Sequence, residues 1–61
     1  MAWLVTEHWA DNGDTHADVE QTDIVAGTEW SDITDCEELH FAVYSNIEDA
    51  DGVAAQFEEE G

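Results

Sequence analysis

Lysine and arginine are absent from this chain, while 17 of its 61 residues are Asp or Glu and its formal charge at pH 7 is −17. Only His8, His16, His40 and the amino terminus can become positive. A surface without a basic footprint excludes the usual way of holding nucleic acid or an anionic membrane, since both are gripped through their phosphate charge. Proline is also absent and glycine occurs four times, which leaves no room for a proline- or glycine-rich linker. No apolar run approaches the ~18 residues of a membrane span, and the first residues lack the basic region that opens a secretory signal. A lone cysteine, Cys36, excludes an internal disulfide and suits a reducing compartment. The expectation is a cytoplasmic protein without cofactor, nucleic-acid or membrane partner, surrounded by diffuse hydrated cations.

High charge usually means disorder, but only where bulky apolar residues are scarce. Here 43% of residues are hydrophobic, including three Trp, two Phe and one Tyr. They are patterned, so the sequence predicts one folded domain over residues 1–61 with its acids on the outside. Seventeen charges on a sphere of about 13 Å radius carry roughly 40 kcal/mol of self-repulsion in pure water. Screening lowers this to about 16 kcal/mol at 0.15 M salt and about 5 at several molar. A domain of this length is stable by only ~3–9 kcal/mol. Such a composition fits a cell interior that is always rich in salt, and extreme-halophile origin is the expectation.

Residues 2–9 are rich in β-formers, with Trp3, Val5 and Trp9 on one face of an extended chain. Asp11-Asn12-Gly13-Asp14 carries the Asn-Gly signal of a two-residue hairpin loop. The return strand is expected at about 15–25, with Ala17, Val19 and Val25 inward. Gly27 breaks the pattern, and residues 28–37 read either way, with Trp30 and Ile33 spaced for a helical turn and Thr34 and Glu37 spaced to cap a short helix. Residues 38–45 alternate as a strand, Leu39, Phe41 and Val43 on one face and His40, Ala42 and Tyr44 on the other. Ser45 with Glu48 is spaced as a capping box, and Ile47, Ala50, Val53, Ala54 and Phe57 then recur at helical spacing. The fold class is α+β: a small antiparallel sheet, made of the N-terminal hairpin and strand 38–45, covered by one helix over about 46–58. The Leu39, Phe41, Val43 face is expected to meet Val53 and Phe57, leaving Tyr44 on the far side. The helix is expected to fray early, because Gly52 weakens it and Glu58 to Glu60 oppose its dipole.

Four groups of residues carry candidate chemistry. His8, His16, Cys36 and His40 are the borderline-soft ligands that a zinc site would need to converge tetrahedrally. Asp49, Asp51, Gly52 and Glu58 match part of a calcium loop, although Ile47 stands where its leading acid belongs. Cys36 and His40 are a thiol and a base, but no cation or glycine-rich loop accompanies them, and the expectation is no enzyme. Trp3, Trp9, Trp30 and Tyr44 are both core material and the residue types that concentrate in binding hot spots. The leading expectation is a small non-enzymatic interaction or regulatory module, binding a protein partner or itself as a homodimer through an aromatic face of its sheet. A zinc-binding domain is the second reading. An acidic mimic of nucleic acid that captures a basic protein is the third.

Overall fold

A computed structural model describes residues 1–60. Strand β1 (Ala2–Trp9) and strand β2 (Thr15–Thr22) form the expected N-terminal hairpin, and strand β4 (Glu38–Tyr44) pairs with the other side of β1. The ambiguous stretch is strand β3 (Glu29–Ile33), which lines the outer side of β4. The sheet is antiparallel throughout in the order β2-β1-β4-β3, and helix α1 (Ile47–Glu60) lies across one of its faces. The fold is α+β, as expected. None of its helices is long and apolar enough to cross a membrane among the described residues.

Turn chemistry sets the strand ends. The first hairpin closes on Ala10–Gly13, where the Gly13 amide donates to the Ala10 carbonyl at 3.0 Å. Asp11 and Asn12 are its central residues, and Gly13 follows with φ +90°. The loop is thus longer than the two-residue turn suggested by Asn-Gly, with glycine in the left-handed position that closes a longer loop. Val25–Thr28 makes a second turn, with Gly27 at φ +95° and the Thr28 amide donating to the Val25 carbonyl at 3.2 Å. Positive φ at the third residue is the type II pattern that glycine favours. This turn ends β2 at Thr22 and leaves Val25 77% exposed, rather than inward on a longer strand.

Thr34 and Glu37 do interact, but across a β-turn and not at a helix start. The Thr34 hydroxyl accepts from the Glu37 amide at 3.1 Å, and the Thr34 amide donates to the Glu37 carbonyl at 2.9 Å. The helix cap lies one residue beyond the expected Ser45 and Glu48. The Asp49 amide donates to Asn46 Oδ1 at 2.9 Å, and Asn46 Nδ2 donates to Asp49 Oδ2 at 3.0 Å. Asn ranks with Ser as an N-cap, so the later residue is chemically equal and geometrically better placed. Beyond the cap, α1 runs on through Glu60, past the expected end near 58.

Direct cross-strand partners share a face, and here the register corrects the expected orientation of β4. Val5 lies opposite Val19 and Ala42, and Trp3 opposite Gln21 and Tyr44. The helix-side face therefore carries Trp3, Val5, Ala17, Val19, Ala42 and Tyr44. Val5, Ala17, Ala50 and Ala54 form its buried centre, with Trp3, Val19, Tyr44, Val53 and Phe57 packed around them. Leu39, Phe41 and Val43 face away from the helix, and Tyr44 faces it. Leu39, Phe41 and Val43 make the more apolar face of β4, so alternation alone pointed to the wrong side. The small residues decide: Ala17 on the sheet and Ala50 and Ala54 on the helix let the two backbones come close over Val5.

Candidate interaction surface on the open side of the sheet

Helix α1 lies over β2 and β1 and reaches β4, but it makes no contact with β3. On the opposite side no helix covers the sheet. There Ala2, Leu4 and Val43 form a second buried cluster with Phe41 packed against it. This cluster sits at the end where residues 23–28 pass from the β2 edge to the β3 edge, pinned by the Gly27 amide on the Val43 carbonyl at 2.8 Å.

Towards the other end the face opens. Trp30 lies directly opposite Phe41 in the ladder, and the two rings stack with centroids 4.9 Å apart and planes within 12°. Trp30 remains 40% exposed despite this contact. Leu39 lies beside Phe41 on the same face, half-buried. The acids of this face are Asp18 and Glu20 on β2, two strands from Phe41, and Asp32, which flanks Trp30 directly opposite Leu39. The result is an apolar strip that reaches the β3 edge with acids around it.

The other candidate aromatics work as core. Trp3 packs against the Val5 cluster, and Trp9 contacts Phe57 and His40 edge-on, at centroid distances of 4.7 and 4.9 Å. Both are half-buried on the helix side. Tyr44 is there too, and its phenol is pushed above its ordinary pKa by burial and by the nearby charges of Glu7, Glu29 and Asp49. A shallow trough of about 340 Å³ lies over β1, β4 and β3, lined by Glu7, Glu29, Trp30, Ser31, His40, Phe41, Ala42 and Tyr44. Two carboxylates, with neither Lys nor Arg, make it a poor place for a developing negative charge.

The sheet separates the candidate metal ligands. His8 and His16 are direct cross-strand partners on the open side, whereas His40 pairs with Glu7 on the helix side. Each imidazole is tied to a different carboxylate: His8 to Glu37 at 2.9 Å, His16 to Asp18 at 3.2 Å, and His40 to Glu38 at 3.1 Å. Cys36 is exposed in the β3–β4 turn, its amide donating to the Thr34 hydroxyl at 3.3 Å. Among the described residues no three potential ligands converge on a point. The calcium-loop residues Asp49, Asp51, Gly52 and Glu58 are all part of helix α1, where the carboxylates fan out around the axis and cannot wrap an ion.

Compared with family profiles, with characterised proteins and with solved structures, the chain matches none. Of the aromatic candidates, Trp30 alone lies on the open side, at its β3 edge. The only signal for it was the position of Glu29-Trp30-Ser31-Asp32-Ile33 between the Gly27 turn and the Thr34 turn, since the segment does not alternate in polarity. Helical spacing of Trp30 and Ile33 obscured it.

Proposed function

We propose that this protein is a small non-enzymatic interaction module, adapted to a salt-rich cytoplasm, that docks protein surface on the open side of its sheet. The observation that carries this reading is the Trp30–Phe41 stack, left 40% exposed on a face without helical cover. Large aromatics at the centre of an apolar patch with a polar rim are the usual anatomy of a binding hot spot. A domain this small gains most from burying its tryptophans, so one left half in solvent is the exception that needs a partner. The acidic rim keeps the patch soluble when it is free. In molar salt the rim's repulsion is screened within a few Å while apolar contacts strengthen, so binding and environment agree.

Immobilised protein in 3 M KCl tests the reading through the contrast between wild type and Trp30→Ala. Bound material that is lost with Trp30→Ala, and that grows as KCl is raised, supports it. Equal capture by both proteins, or capture that fades with salt, contradicts it and favours a charge-driven acidic decoy.

A further inference from the structure

We infer that the partner of this surface includes a second copy of the same chain, joined edge to edge along β3. The inference rests on the interaction-module reading and makes it specific. Antiparallel ladders alternate, so every second residue of an edge strand points its amide and carbonyl away from the sheet. Here the phase is fixed by bonds at both ends of β3. The Val43 amide donates to the Thr28 carbonyl at 3.0 Å, and the Thr34 amide donates to the Glu37 carbonyl at 2.9 Å. Residues 28 and 34 therefore bond inward, as do Trp30 and Asp32 between them. Glu29, Ser31 and Ile33 are left with outward-pointing amides and carbonyls on a strand exposed along its whole length. No helix stands above this edge. An edge with free backbone groups in register is a template for another strand.

Self-pairing is favoured by the order of the side chains. A two-fold axis at Ser31 sets Ser31 against Ser31 of the second copy, Glu29 against Ile33 and Trp30 against Asp32. No acid then faces an acid, and the two Trp30 rings become diagonal neighbours, within reach of aromatic contact. The opposite edge differs: helix α1 packs on β2, and there a two-fold at the central Val19 sets Asp18 directly against Glu20. Pairing at β3 joins two four-stranded sheets into one of eight strands and makes the Leu39, Phe41 and Trp30 surface continuous across the junction. With −17 on each copy, the dimer needs salt: the Debye length falls from about 8 Å at 0.15 M to about 3 Å at 1 M.

Cys36, the single cysteine, is exposed near the tip of the β3–β4 turn and accepts a spin label without any substitution. With the axis at Ser31, the two Cys36 residues are about 30 Å apart, counting ~3.3 Å per strand residue. Sedimentation equilibrium in 3 M KCl is expected to show a dimer, with a pulsed electron-electron distance of that size. Ser31→Pro removes an outward amide that no bond within the monomer uses, a substitution edge strands tolerate. It is expected to weaken dimerisation at least tenfold while near-UV circular dichroism is kept. A dimer that survives Ser31→Pro, a label distance far from 30 Å, or a wild type monomeric at millimolar concentration in 3 M KCl overturns edge pairing. If the dimer survives Ser31→Pro yet is lost in Trp30→Ala, the face binds and the edge does not, so the module reading stands alone. Should Ser31→Pro fail to fold, the label distance in the unsubstituted chain decides.

Discussion

Removing salt should unfold this protein, and the size of the effect follows from its dimensions. The Cα radius of gyration is 11.5 Å, equivalent to a uniform sphere of about 15 Å radius. Spreading 17 charges over that sphere costs about 40 kcal/mol in pure water, about 14 at 0.15 M salt and about 4 at 3 M. The unfolded chain, with a radius of gyration near 24 Å, repels itself less, by about 4 and about 1 kcal/mol at the two salt concentrations. The net electrostatic cost of folding is then about 10 kcal/mol at 0.15 M and about 3 at 3 M. The difference of about 7 kcal/mol matches the whole stability expected for this length, ~3–9 kcal/mol. No ion pair with Lys or Arg offsets it; the three His–carboxylate contacts are at exposed or half-exposed sites and contribute little. Near-UV circular dichroism during a KCl titration at pH 7 is expected to show a cooperative gain of structure between low and molar salt. A full native spectrum in salt-free buffer would refute the calculation, and with it the inference of a salt-rich habitat.

Three further outcomes test the packing and the electrostatics. Val5 is 1% exposed beneath Ala50 and Ala54, so Val5→Ala should cost about 2–3 kcal/mol, read as a lower melting temperature in 3 M KCl. Asn46→Ala removes the cap of α1 and should cost ~1 kcal/mol, whereas Ser45→Ala should be close to neutral, reversing the order expected from Ser45 and Glu48. Tyr44 is the single tyrosine, so absorbance near 295 nm reports its ionisation alone. Its pKa is raised in the folded state by burial and by Glu7, Glu29 and Asp49. The associated stability is complete below the unfolded tyrosine pKa of about 10 and is lost as pH climbs through the folded value. The native protein should therefore ionise at higher pH than the urea-unfolded one; the reverse order would mean that Tyr44 points away from the helix.

The sequence announced its fold class through periodicity, and it failed where periodicity was silent. β1, β4 and α1 were legible because Trp3 and Val5, the 39–43 alternation, and Ala50, Val53, Ala54 and Phe57 each repeat at one spacing. β3 was not, because five residues that include Trp30 and Ile33 fit a helical turn as well as a strand. The orientation of β4 was also hidden: Leu39, Phe41 and Val43 look like the inward face, and the helix took the other. That choice depends on alanines, whose small size permits close approach but leaves no strong mark in a hydrophobic pattern. The site inherited the error. Tyr44 read as the far-side residue, while Trp30, stacked on Phe41, holds that place.

If the open side that carries Trp30 is kept for binding and contributes little to the fold, replacing Trp30 and replacing Trp9 must have opposite effects on association and stability. In 3 M KCl, association and thermal stability are measured together for wild type, Trp30→Ala and Trp9→Ala. Trp30, on an outer strand and 40% exposed, should lose association at least tenfold when replaced by Ala, with stability falling by no more than about 1 kcal/mol. Trp9, wedged against Phe57 and His40, should lose about 2–3 kcal/mol of stability and keep its association while folded. If Trp30→Ala melts like an emptied core while association in the surviving folded fraction is unchanged, the exposed stack is structural and the proposed surface is not where this protein binds.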